Sequence, residues 1–119
     1  MKNKILGDQG ESIAINHLIN KGYKILESNW RVGRLEVDII AMDDDILVFI
    51  EVKTRNTSYF GFPENAVNNK KKRFLTNAAN AFINHGNLDN ENRFDIVSII
   101  IENEQFELEH IEDAFYLMK

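Results

Sequence analysis

Leu35-Glu36-Val37-Asp38-Ile39-Ile40-Ala41-Met42-Asp43-Asp44-Asp45-Ile46-Leu47-Val48-Phe49-Ile50-Glu51-Val52-Lys53-Thr54-Arg55 is the stretch that decides the fold. Leu35 to Met42 reads as one strand and Ile46 to Thr54 as the next, with Asp43-Asp44-Asp45 as the turn between them. The second strand is an almost unbroken apolar run, which fits a strand covered on both faces in the middle of a sheet. A turn centred near Asp44 sets opposite each other residues whose numbers sum to roughly 88 or 89. Asp38 then faces either Ile50 or Glu51.

The second of these registers sets two carboxylates side by side in a strongly apolar surrounding. Glu51 and Lys53 are two apart on one strand and share a face, and Glu36 is expected on the face of Asp38. Adjacent carboxylates oppose each other's ionisation, and a divalent cation removes the conflict. Magnesium takes oxygen ligands and is commonly held by one or two carboxylates plus waters. The Val52 carbonyl, between Glu51 and Lys53, is a candidate third ligand. Lys53 adds a point charge able to orient water or offset charge developing on a phosphate. A strand aspartate followed thirteen residues later by Glu-x-Lys is the equipment for metal-assisted phosphodiester hydrolysis. A cross-strand salt bridge on an exposed face is the plainer reading of the same residues.

The flanking segments complete an α-β-β-β-α-β-β order. Residues 8 to 21 have helical periodicity, with Ile15, Leu18 and Ile19 on the buried face and Gly22 as the stop. Glu11 falls on that apolar face, where a carboxylate either meets a cation or complements the helix dipole from the rim. Tyr23 to Leu26 is a short strand, and Val32-Gly33-Arg34 a turn. Pro63-Glu64 is expected to open the second helix, whose stripe is Val67, Phe74, Leu75, Ala78 and Phe82, with Lys71 on it. His85-Gly86-Asn87 ends this helix. Arg93 to Ile101 is a strong strand, and Phe106 to Ile111 an edge strand with one polar face. Ala114, Phe115, Tyr116 and Leu117 are expected to pack on the body. The second helix makes the third and fourth strands parallel through a right-handed crossover, so the sheet is mixed.

With 119 residues, 44% of them hydrophobic and 28% charged, the chain is one ordered domain, residues 1–119. No cysteine is present, so disulfides, thiolate zinc sites and cysteine nucleophiles are excluded. The apolar runs are too short to span a bilayer, and the first residues carry no secretory signal, so a cytoplasmic protein without a membrane partner is expected. The net charge of −5 argues against a nucleic-acid partner, but the charge is unevenly distributed. Residues 53–73 carry Lys53, Arg55, Lys70, Lys71, Lys72 and Arg73 against Glu64 alone. Residues 101–119 carry Glu102, Glu104, Glu107, Glu109, Glu112 and Asp113 against Lys119 alone. One side is thus equipped to attract phosphates. Arg93 and Asp95 read as a structural ion pair, and Trp30 and Tyr23 as core. His17, His85 and His110 have no metal-ligand spacing. There is no P-loop, dinucleotide fingerprint or nucleophile elbow.

Gly10-Glu11, Gly22-Tyr23, Asn29-Trp30-Arg31, Glu36-Val37-Asp38-Ile39-Ile40, Val48-Phe49-Ile50-Glu51-Val52-Lys53-Thr54-Arg55, Phe60-Gly61, Lys71, Arg93-Phe94-Asp95 and His110-Ile111-Glu112-Asp113-Ala114-Phe115 together resemble the bacterial YraN-type family. That family is predicted to consist of endonucleases of the PD-(D/E)XK, or restriction-endonuclease-like, superfamily, similar to archaeal Holliday junction resolvases. The resemblance covers nearly the whole chain. It implies an α/β fold with a restriction-endonuclease-like α-β-β-β-α-β core, a mixed central sheet and an added C-terminal edge strand. It implies Asp38, Glu51 and Lys53 as the catalytic set and Glu11 as a helix-borne acid near the metal, directly or through water. The metal would be Mg²⁺ or Mn²⁺, held by Asp38, Glu51 and the Val52 carbonyl. The substrate would be DNA, plausibly branched, contacted by Arg55, Lys70, Lys71, Lys72 and Arg73, with a homodimer supplying two sites. Leu35 stands where the family has glycine, and Val37 where the superfamily name has proline. Two other functions fit the same residues. One is a non-catalytic DNA- or protein-binding module on this fold. The other is a structural protein whose acidic C-terminal third docks a basic partner.

Overall fold

The computed structural model describes residues 2–56 and 67–115. Its elements are α1 (Lys2–Asn20), β1 (Lys24–Val32), β2 (Leu35–Asp43), β3 (Ile46–Arg55), α2 (Asn69–Gly86), β4 (Asn92–Glu102) and β5 (Gln105–Phe115). One sheet carries all five strands in the order β1-β2-β3-β4-β5. β3 and β4 are parallel and the other neighbours antiparallel. The apolar run of β3 thus occupies the centre of a mixed sheet, in a restriction-endonuclease-like α/β core.

The two faces of the sheet are covered by different helices. Ala14 and Leu18 of α1 pack with Ile39, Ala41, Val48, Ile50, Val97 and Ile99. Leu75, Ala78 and Ala79 of α2 pack with Ile40, Leu47, Phe49, Phe94 and Ile96. Alternate residues of β3 supply the two clusters, as a strand buried on both faces requires. Trp30 lies edge-on to Phe82, with ring centroids 5.2 Å apart, and Phe115 stacks on Phe94 at 4.7 Å.

Several expected boundaries shift. α1 starts at Lys2, and Ile19 is 53% exposed, because Ala14 and Leu18 carry the burial on the last turns. β1 runs on to Val32, since the turn at Gly33-Arg34 pairs Val32 with Leu35. α2 opens after Asn68, whose side chain accepts the Lys71 N–H at 2.9 Å, so asparagine is its cap. Pro63-Glu64 and Phe60-Gly61 lie outside the described residues, as do Tyr116 and Leu117. The helix does end in the expected His85-Gly86-Asn87 stretch, at Gly86, with Asn87 as a left-handed cap at φ 52°. Phe74 is 47% exposed, so it leaves the apolar stripe, and Thr76 is buried instead. No described helix is long and apolar enough to cross a membrane.

A polar network closes the α1 face at the end of the sheet where β3 begins. Asp95 of β4, wholly buried, accepts from Arg93 at 2.8 and 3.0 Å, from His110 Nε2–H at 2.7 Å and from the Asp113 N–H at 3.0 Å. The last bond falls in a bulge of β5, where the β4–β5 register shifts and Asp113 has φ 54°. Arg93 also donates to Asp43 at 3.0 Å and to the Tyr23 hydroxyl at 2.6 Å. His17 of α1 meets His110 Nδ1 at 3.2 Å, and Lys21 meets Glu112 at 2.8 Å. Arg93 and Asp95 are therefore a structural pair, as their spacing suggested, and Tyr23 is core with a bonded hydroxyl. Burial pushes the Asp95 carboxyl up, but the bonds from His110, Arg93 and Asp113 outweigh it and hold it below the usual range.

Asp95→Ala would leave Arg93 without its main counter-ion, at a cost of about 3–5 kcal/mol in denaturant unfolding. A loss below about 1 kcal/mol would contradict the hub role. Because the carboxyl is held low, its contribution is present above about pH 4 and is lost as pH falls through the folded-state pKa.

Candidate active site

Of the two registers the turn allows, β2 and β3 take the one summing to 89, with Ile39 opposite Ile50 and Asp43 opposite Ile46. Asp38 therefore stands opposite Glu51. The regular ladder stops one pair short of them. There the Val52 N–H donates to Asp38 Oδ2 at 2.8 Å, so a side chain takes a bond that the neighbouring backbone would otherwise accept. Alternation breaks at the same place: Val37 packs in the α2 cluster and Ile39 in the α1 cluster, although they are two apart. Glu36 keeps its charge close enough to add to the rise of both Asp38 and Glu11, in line with its expected place near Asp38. It pairs with Arg31 across the β1–β2 hairpin at 3.5 Å. The Val52 carbonyl leaves the strand on the same edge as its N–H, toward β2.

The carboxylates here are short of partners. Among the described residues, the buried Glu51 Oε2 has no hydrogen-bond partner, and Oε1 meets the Lys71 ammonium at 3.6 Å. Burial, reinforced by the charge of Asp38, raises the Glu51 pKa to about 7 against the pull of Lys71 and Lys53. Burial likewise raises Asp38, while the Val52 N–H and the charges of Lys71 and Lys53 oppose the rise. Glu11 is raised by burial and then by Asp38, while a hydrogen bond with the Asn29 side chain lowers it. Asn29, at φ 52° in β1, lies opposite Asp38 between the pairs Ser28–Ile39 and Trp30–Val37.

Asp38, Glu51, Lys53 and Lys71 thus act on one another at the β3–β2 opening, and Glu11 adds its charge from α1. Among the described residues no three His, Cys, Asp or Glu side chains are gathered closely enough to hold a metal by themselves. The donor set consists of Asp38 and Glu51 with the Val52 carbonyl beside them, and this fits magnesium, which needs only one or two carboxylates. A buried oxygen without a partner is the atom such an ion would satisfy. Of the other basic residues, Arg55 is partly buried at the end of β3 and Arg73 is exposed on α2. Lys70 lies over the Phe74 ring at 5.8 Å and Lys72 over Phe115 at 5.6 Å.

Comparison with known proteins gives the family. Residues 10–99 match the model of the uncharacterised protein family UPF0102, a span from Gly10 into β4. The chain belongs to this family. A UPF0102 protein of Flavobacterium johnsoniae is 48% identical over 115 residues, covering 93% of this chain and 94% of its own. One of Flavobacterium psychrophilum is 45% identical over 111 residues, covering 93% of each. One of Geobacter metallireducens is 42% identical over 118 residues, covering 98% and 97%.

In this UPF0102 chain the residue before Glu11 explains how α1 reaches the site. Gly10 is buried against Thr54 of β3, and a Cβ built there would overlap the Thr54 hydroxyl and lie 2.8 Å from its Cβ and Cγ2. Only glycine permits that approach. Sequence periodicity offered no sign of the Gly10–Thr54 contact, nor of Asn29 as the partner of Glu11.

Gly10→Ala is expected to push α1 off β3 and to cost about 1–3 kcal/mol of stability. A melting temperature unchanged from wild type would contradict the contact. Glu51→Gln should behave oppositely. The raised Glu51 pKa means that stability present below the unfolded pKa of about 4.3 is lost as pH rises through about 7. At pH 8 Glu51→Gln should therefore melt above wild type, and the gap should close at pH 4. Added Mg²⁺ should raise wild type at pH 8 more than the variant.

Proposed function

We propose that this UPF0102 protein is a metal-dependent nuclease that hydrolyses phosphodiester bonds in DNA, plausibly branched DNA. The observation that carries the reading is the half-buried Asp38–Glu51 pair, with one Glu51 oxygen unpartnered among the described residues and two lysines acting on both carboxylates. Asp38, Glu51 and the Val52 carbonyl would hold Mg²⁺ or Mn²⁺, with Glu11 assisting through water. When bound, such an ion supplies Lewis acidity toward a phosphate and lowers the pKa of water. Lys53 would orient the attacking water and offset charge developing on the phosphate. Lys71, now the counter-ion of Glu51, would meet substrate phosphate together with Arg55, Lys70, Lys72 and Arg73. Contacts of this kind give affinity that falls steeply with salt and does not depend on sequence. Symmetric cutting of a branch would need two copies. The protein would act in the cytoplasm.

The net charge of −5 favours a second reading, in which the same surface binds DNA or a protein without cutting. Cleavage of labelled linear duplex, single strand, flap and four-way junction with Mg²⁺ or Mn²⁺ separates the two. Lys53→Ala and Asp38→Asn should each slow cleavage about 100-fold or more while melting like wild type, since asparagine can still accept the Val52 N–H. Full activity in either variant would end the nuclease mechanism. A folded wild type that cuts nothing at low salt would leave the binding module.

A further inference from the structure

The outward stripe of α2 carries more than phosphate binding alone would need. Lys70, Arg73, Phe74, Asn77, Asn80 and Asn84 recur at helical spacing and are all exposed. The helix holds four Lys or Arg residues and no carboxylate, in a chain whose net charge is −5. Phe74 is its one large exposed hydrophobic side chain, 47% accessible, with the Lys70 ammonium 5.8 Å from the ring centroid. One ring among amides and cations is too little apolar surface to hold a protein partner. It is enough to stack a base, since every base offers a π-face and the flanking cations hold its phosphates.

The stripe also begins at the candidate active site. Lys71, next to Lys70, reaches Glu51 at 3.6 Å. From Lys70 to Asn84 the helix rises about 21 Å, or about six nucleotide steps. We infer that α2 is a binding surface for DNA with unpaired bases, in which Phe74 stacks an unpaired base while Lys70 and Arg73 hold the flanking phosphates. Asn77, Asn80 and Asn84 extend the track with amide donors and acceptors. The inference deepens the proposed function by naming what the site selects, and it rests on that reading for the choice of DNA as ligand. Fully stacked duplex offers the ring nothing, so Phe74 would turn a sequence-blind surface into one that distinguishes broken from continuous helix.

The test is equilibrium binding by the full chain, without divalent metal so that nothing is cut. The probes are a linear duplex, a duplex with a single-stranded flap, and the same flap with 2-aminopurine in its unpaired stretch. Wild type should prefer the flap and quench the 2-aminopurine. Phe74→Ala should lose about fivefold or more on the flap, with the quenching lost and duplex affinity changed far less. Phe74→Trp should keep both preference and quenching. Lys70→Glu with Arg73→Glu should weaken every probe and flatten the salt dependence. Wild type without a flap preference, or Phe74→Ala binding like wild type, overturns the inference, as does equal loss on flap and duplex. Unpaired DNA bound by Phe74 but never cleaved when metal is restored would defeat the nuclease reading and leave this one standing. Cleavage indifferent to Phe74 would do the reverse.

Discussion

The hydrogen bond from the Val52 N–H to the Asp38 carboxylate is the point on which the site depends. A β-ladder binds its strands by satisfying every backbone donor between them. By taking that donor with a side chain, Asp38 ends the β2–β3 ladder early without leaving an N–H orphaned. The strands can then part at the carboxyl end of β3, the central strand, which is antiparallel to one neighbour and parallel to the other. Open α/β sheets commonly bind ligands beyond the carboxyl ends of their strands, where the connection changes direction. The α2 crossover and the α1 turn held by Gly10 both converge there.

Asp95 shows the same device brought to the opposite electrostatic end. It too accepts a backbone N–H, that of Asp113, where the neighbouring strand bulges. But Asp95 has Arg93 and His110 as well, and its carboxyl is held low. Asp38 has the Val52 N–H and Glu51 the Lys71 ammonium, too few to offset burial and each other's charge, and both are pushed up. Burial is common to all three, so the difference lies in how many donors each carboxylate meets. The satisfied one ties β4 to β5 and orients Arg93 and His110, which reach on to Asp43, Tyr23 and α1. The unsatisfied pair is left with affinity for a cation, which is why the latter and not the former reads as a site.

Much of this was legible in the residues because it is local. The turn at Asp43-Asp44-Asp45 restricts β2–β3 to two registers, and one of them brings Asp38 to Glu51. The apolar run of β3 marks it as central, and Lys71 falls on the inner side of its helix, where it meets Glu51. What was not legible depends on distant partners. His17 and His110 are 93 positions apart and meet only because α1 and β5 both pack near β4. Glu36 was expected on the face of Asp38 and its charge does bear on Asp38, but its pairing with Arg31 was not foreseen. Phe74 fits the apolar periodicity of α2 as well as Leu75 does, and only packing shows which of the two turns inward.

β5 has a consequence of another kind. It is an eleven-residue edge, and one whole side of its backbone has no strand partner among the described residues. Exposed edges of this length invite a second chain to add itself to the sheet. Glu107 and Glu109 are exposed along it, close in sequence to Glu102 at the end of β4 and Glu104 in the turn. Two such edges brought together would set like charges against each other, so at neutral pH the sheet cannot readily extend from one molecule into the next. That protection is electrostatic and therefore conditional. Acid or high salt removes it, and the same acidic row that opposes a polyanion on one side of the molecule then no longer guards against self-association through strands.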